Sequence, residues 1–214
     1  MQSAVQGRSL LETVIRYSQE IDEATVAYLE GRGISKDVAQ QMSLGTVVDP
    51  IEGHKEYAGW LSIPYLTALG HCVSVKFRRI DDGKPKYGQP LGQKSHPYNV
   101  SDVLIQTPYI VICEGELDAV VLSAIVGVPA VGIPGVAAWK PHFAKLFVGY
   151  DTVYIVGDND AKEDGTNPGA EFSRRVQGEL TNGVIVTLPP NTDINEYYLA
   201  NGPEETIKLF GGVK

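Results

Sequence analysis

The stretch VICEGELDAV (residues 111–120) sets Glu114, Glu116 and Asp118 directly after the apolar run Tyr109-Ile110-Val111-Ile112. Three like charges this close repel, and at about 4 Å each pair costs roughly 1 kcal/mol in water and several at a lower effective dielectric. A divalent cation is the partner such a cluster calls for. Further acids recur in the same setting. GDND puts Asp158 and Asp160 just past the run TVYIV, and PPNTDINEYY puts Asp193 and Glu196 after VIVTL. Two residues apart, Asp158 and Asp160 can point the same way in an extended segment and share one cation. Carboxylate oxygens in this number suit Mg²⁺ or Mn²⁺, which keep several waters and bind phosphate oxygens as well. The chemistry such a site supports is phosphoryl transfer, with metal stabilising the attacking and leaving oxygens. Taken singly, Asp193 or any other of these acids also reads as a helix cap or solvated turn, since Asp and Glu favour first turns.

The elements that must position these acids follow from periodicity. YIVIC, PAVGIPG, DTVYIV and VIVTL read as strands, and ELDAVVLSAIVG, KPHFAKLFVGY and the segment from Pro168 read as helices. In the last of these, Phe172, Val176 and Leu180 recur at i, i+4 and i+8 until Asn182-Gly183 stops it. Continuous apolar strands suit a parallel sheet buried on both faces. Strand–helix alternation gives an α/β layer structure, and in such sheets sites form at the carboxyl ends of the strands. Three of those ends carry the acids.

The preceding half is different. EIDEATVAYLEGRGIS reads as a helix broken at Gly31 and Gly33, and Ser35 caps a second helix through KDVAQQMSL that stops at Gly45. The pair reads as a helical hairpin rather than a base-reading helix-turn-helix. GWLSIPY (59–65) and HCVSVKFRRI (71–80) alternate as strands, and a polar loop follows. A boundary is expected at 104/105, giving residues 1–104 a helical and β-rich basic subdomain and 105–214 the acidic α/β domain.

Composition narrows the class. A chain of 214 residues, 43% hydrophobic, has room for one large domain or two small ones with real cores. No apolar run approaches the roughly 20 residues that cross a bilayer, and the N-terminus lacks a signal layout, so a cytoplasmic location is expected, that of the host if the chain is phage-encoded. Cys72 and Cys113 show no paired metal-ligand spacing with the four His, which points away from a disulfide framework and from zinc. The net charge of −8 argues against a simple nucleic-acid-coating protein, but Lys76, Arg78, Arg79, Lys84, Lys86 and Lys94 cluster against only Asp81 and Asp82. Lys76, Arg78, Arg79, Lys84 and Lys86 are the candidates for phosphate contacts. Alternation puts Lys76 and Arg78 on one strand face and Phe77 and Arg79 on the other. Tyr87 and Tyr98 are of a type that stacks on bases, although packing is the commoner use of such residues.

Taken together, EGELD (114–118), IPG (133–135), DND (158–160) and PGAE (168–171) resemble the Toprim domain. That fold, Rossmann-like with a mainly parallel sheet flanked by helices, is shared by DnaG-type primases, type IA and II topoisomerases, OLD-family nucleases and small recombination-mediator proteins. TDINEYYLANG is similar to the primase form of the third acidic motif. YLEGRGIS, GWLSIPY, VSVKFRRI and KPKY resemble, in order, the basic α+β segment that precedes Toprim in bacterial primases and phage primase-helicases. The resemblance implies a DNA primase core making short RNA primers on single-stranded DNA from ribonucleoside triphosphates. It implies Glu114 as acid/base candidate or metal ligand, and Asp158 and Asp160 as the leading ligands of Mg²⁺ or Mn²⁺. Glu116, Asp118 and Asp193 are then further members of the acidic edge. Two departures stand out. No zinc-ribbon or helicase segment is recognisable, which implies a separate zinc-ribbon or helicase partner, and AKEDGTNP lengthens a junction that is short in most relatives. The alternatives are a Toprim nuclease using the same acids and an inactive replication adaptor.

Overall fold

The computed structural model describes residues 2–90 and 92–211, and in the first helix side chains from Leu10 onward. The chain divides into two compact units, one ending at Ser95 and one beginning at His96.

In the first unit, helices α1 (Gln2–Ser18), α2 (Glu23–Glu30) and α3 (Lys36–Gln41) precede a four-stranded antiparallel sheet. Its strands, β1 (Gly45–Thr46), β2 (Leu61–Leu66), β3 (Cys72–Arg78) and β4 (Tyr87–Gly88), lie in sequence order. The Asp22 carboxylate caps α2 by accepting from the Thr25 N–H, and the Ser35 hydroxyl caps α3 by accepting from the Val38 N–H. The second helix ends at Gln41 rather than running to Gly45, which already pairs in β1. Strand β4, inside the stretch read as a polar loop, pairs Tyr87 with Arg78 and Gly88 with Phe77. Tyr17, Val47, Tyr57, Val75 and Phe77 form the core of this unit.

The second unit holds a fully parallel sheet in the order β6-β5-β7-β8, formed by β5 (Tyr109–Glu114), β6 (Ala130–Ile133), β7 (Thr152–Val156) and β8 (Gly183–Ile185). Register sets Cys113 beside Val156 and Glu114 beside Ile133, so the strand ends share one edge. Helix α4 (Glu116–Val120) continues into a π-turn to Val126, and Gly127 ends it with φ +79°. Helix α5 (Pro168–Gly178) follows β7, and α6 (Ile194–Lys208) follows β8 with a break at Gly202. Phe172 and Val176 of α5 are buried against Ile110, Ile112, Val153 and Ile155, as their spacing predicts.

Three expectations are corrected. Residues Pro141–Phe147 form a 3₁₀ run rather than an α-helix, held by packing of Phe143 and Phe147 with Trp139. The last strand stops at Ile185, although the Val186 N–H still reaches the Ile155 carbonyl; Pro189 and Pro190 follow and offer no N–H to a ladder. The division between units falls at 95/96 rather than 104/105. Tyr98 pairs with Gly132, and the Asp102 carboxylate accepts from the Ala130 N–H at 2.9 Å, so residues 98–104 are tied to β6. No helix among the described residues is long and apolar enough to cross a membrane.

Candidate active site

Glu114 is the last residue of β5. Gly115 then turns the chain with φ +105°, where a side chain would be strained, and α4 begins at Glu116. Asp158 follows β7 by two residues and faces Glu114 across the sheet edge, donating its backbone N–H to the Glu114 carboxylate. The approach of α5 is equally close. A Cβ on Gly169 would lie 2.0 Å from the Asp158 carbonyl oxygen, and one on Gly157 would lie 2.3 Å from the Gly169 carbonyl oxygen. The Pro-Gly opening of α5 therefore seats directly on the strand exit that carries Asp158.

Electrostatics single out the same pair. Burial first, then the charge of Asp160, raises the Glu114 carboxyl above the usual carboxylate range. Burial first, then Glu114, Asp193, Asp160 and Glu196, pushes Asp158 up to about 7. The Glu114 Oε2 atom is buried with no hydrogen-bond partner. Among the described residues no lysine or arginine forms an ion pair with Glu114 or Asp158. An orphaned carboxylate oxygen beside a repelling acid fits a divalent ion, with Glu114, Asp158 and the exposed Asp160 as the residues to hold it.

The six acids do not form one ready-made cage; among the described residues no three His, Cys, Asp or Glu converge closely enough to enclose an ion. Glu116 and Asp118 are buried in the first turn of α4, where their charges, with that of Asp158, act on the buried Cys113 thiol. Asp118 Oδ1 accepts from the Asn195 N–H at 3.3 Å. Asp193 caps α6 in a reciprocal box with Glu196. Asp118 and Asp193 thus hold the start of α6, and Asp193 still contributes its charge to Asp158. Glu196, absent from the sequence-derived site set, also reaches Asp158 electrostatically; its signal was the capping-box spacing from Asp193. Asn159, between the two aspartates, was not singled out either.

The basic residues gather in the first unit around a cavity of about 340 Å³. Arg78, Arg79, Lys84 and Lys86 line it, joined by Tyr28 and Arg32, which the sequence reading passed over. Arg78 is not the exposed contact that alternation suggests. It is 6% exposed, donates to the Tyr87 hydroxyl at 2.5 Å, and lies over the Tyr28 and Tyr87 rings, while its Nε is buried without a partner. Arg79 grips Asp81 with two hydrogen bonds and sits over Trp60. Lys76 is not among the cavity lining; its ammonium stands 4.1 Å above the Tyr87 ring. Tyr98 is buried in the second unit and packs.

A family model described as the Toprim domain matches residues 109–204. The Gene 57 protein of Mycobacterium phage D29 is 36% identical over 156 residues, 71% of this chain and 98% of that protein. The chain belongs to the Toprim family. Its fold is that of primase catalytic cores. The Aquifex aeolicus primase, solved with its zinc-binding and RNA polymerase domains, superposes with a TM-score of 0.78 at 20% identity over 94% of this chain. The DnaG primase catalytic domain bound to single-stranded DNA superposes with a TM-score of 0.77 at 16% identity over 98% of this chain. The Toprim chain described here spans 59% of the length of the Aquifex chain and 81% of the DnaG domain.

Proposed function

We propose that this Toprim protein is the catalytic core of a DNA primase, joining ribonucleotides on a single-stranded DNA template with Mg²⁺ or Mn²⁺. The observation that carries the reading is the Glu114–Asp158 pair, two half-buried acids at one strand edge with no lysine or arginine paired to them among the described residues and one buried carboxylate oxygen left over. A pure adaptor has no physical need for such a pair. The likeness of fold to a primase domain solved with single-stranded DNA supports the choice of template.

A divalent ion, when bound, supplies charge neutralisation at the attacking and leaving oxygens. The chain's own residues do the rest. Asp158 and Asp160 would hold the ion, and the free oxygen of Glu114 would accept the proton of the primer 3′-hydroxyl or serve as a further ligand. Asp193, Glu116 and Asp118 keep the edge negative and fix α6. Arg79, Lys84 and Lys86, with Arg32, receive template or triphosphate oxygens at the basic cavity, and Arg78 orders its floor. Lys76 acts through the Tyr87 ring, which Arg78 and Lys86 also approach. Starting a primer means holding two nucleotides and a template together, so positioning demands much binding energy. A separate zinc-ribbon or helicase partner would raise the local DNA concentration at the acidic edge.

The test is primer synthesis from labelled ribonucleotides beside cleavage of labelled DNA, with and without a replicative helicase and a zinc-ribbon protein. Primers that need Mg²⁺ and rise in yield with a partner are expected. Cleavage without synthesis would replace the reading by a nuclease. Strong template-selective priming by the chain alone would remove the partner.

A further inference from the structure

Asn159 stands between Asp158 and Asp160 with both backbone groups and both amide atoms engaged. Its N–H donates to the Thr192 carbonyl at 3.1 Å, and its own carbonyl accepts from the Asn191 N–H at 2.8 Å. Its Nδ2 donates to the Leu188 carbonyl at 2.6 Å, and its Oδ1 accepts from Asn167 Nδ2 at 2.7 Å. These partners belong to two other pieces of chain. Residues 188–192 deliver Asp193 to the start of α6. Asn167 caps α5, its own Oδ1 accepting from the Ala170 N–H at 2.9 Å.

The lengthened junction after Asp160 has a defined shape. The Lys162 N–H donates to the Thr166 carbonyl at 2.8 Å, the Gly165 N–H returns to the Lys162 carbonyl, and Thr166 donates twice to Asp164 Oδ1. The loop closes on itself and brings Asn167 back onto Asn159. The groups that bond Asn159 are neutral amides and carbonyls, so they can cross the space between three like charges without cancelling any of them.

We propose that Asn159 is a positioning residue for the divalent-ion site, holding Asp158, Asp160 and Asp193 in one register, with residues 161–167 as the latch that seats it. Its Oδ1 is occupied by Asn167, so Asn159 acts through its neighbours rather than on the ion. The inference rests on the reading of Glu114, Asp158 and Asp160 as an ion site. Groups of this kind around a metal set its affinity through the orientation of the ligands, and their loss weakens binding 10–100-fold.

The experiment is calorimetric titration of the full chain with Mn²⁺ and Mg²⁺, for wild type, Asn159→Ala and Asn167→Ser, alongside metal-free thermal unfolding. Serine keeps a cap on α5, but its hydroxyl is too short to reach Asn159. Asn159→Ala is expected to weaken Mn²⁺ binding by about tenfold or more, and Asn167→Ser to weaken it less and in the same direction. Should Asn159→Ala fail to fold by circular dichroism, Asn167→Ser carries the test. Wild-type binding with unchanged affinity in the folded variants, whatever their melting temperatures, would make the network purely structural and overturn the inference alone. No binding by wild type would overturn the ion-site reading and the inference with it.

Discussion

A carboxyl that holds its proton up to about pH 7, as Asp158 does, makes the protein's stability depend on pH in the direction opposite to most aspartates. An unfolded aspartate titrates near about 4, so between about pH 4 and 7 the folded state binds more protons than the unfolded one. Stability from this group is therefore present at low pH and falls as pH rises through that window. Without metal, Asp158→Asn is expected to gain about 2 kcal/mol over wild type on going from pH 4 to pH 8, a figure discounted because Asp158 is only half-buried. Adding Mg²⁺ should then stabilise wild type and not the variant, as thermal unfolding across the pH series would read. Parallel pH profiles would take Asp158 out of the acidic edge. Arg78 shows the limit of reading single residues. Its type and its place beside Lys76 were legible, but not its burial, because the Tyr87 and Tyr28 that cover it come from a two-residue strand and a helix far off in sequence. Arg78→Ala should cost about 2–3 kcal/mol by leaving a void among those rings. Lys84→Ala and Lys86→Ala should change stability by less than about 0.5 kcal/mol while each lowers the salt slope of single-strand binding by about 0.7. An unchanged slope would show that these two lysines do not meet phosphate.

Among elements, the contact of α5 with the end of β7 is the tightest demand on sequence in the acidic unit. Gly169→Ala pushes a methyl group onto the Asp158 backbone, and a loss of about 1–3 kcal/mol with weaker Mn²⁺ binding is expected. Gly178 is the internal control. It ends the same helix, and a Cβ there meets nothing within 4 Å. Gly178→Ala should be neutral or stabilising by up to about 1 kcal/mol. Melting temperatures moving alike in both variants would show that helix propensity, not the Asp158 contact, governs the position. The PGAE stretch was readable as a motif because of this contact, and the parallel strands because burial on both faces leaves unbroken apolar runs. The short elements were not readable. Two residues of β4 carry no period, and Phe143 and Phe147, spaced as in an α-helix, are buried by tertiary packing on a 3₁₀ run.

Across the whole molecule, the −8 net charge and the basic cluster proved to be one statement, since the cationic cavity lies in the unit ending at Ser95 and the acidic edge in the unit beginning at His96. Segregation along the chain was legible because each unit is a continuous segment; the position of their junction was not, because the ties of Tyr98 and Asp102 to β6 are long-range. The same division gives the two cysteines a use beyond packing. Cys72 lies in one unit, with burial pushing its thiol up to about 11, and Cys113 lies in the other, fully buried and pushed well above the usual thiol range by burial and the neighbouring acids. Only a thiolate reacts quickly, so neither should be modified until its surroundings open. Labelling with a thiol reagent, followed by peptide mass spectrometry, is expected to give a separate rate for each. Mg²⁺ should slow the modification of Cys113 and leave that of Cys72 unchanged; equal slowing of both would mean that the two units open as one. The chain carries a natural clock in each half, and the ion should stop only one of them.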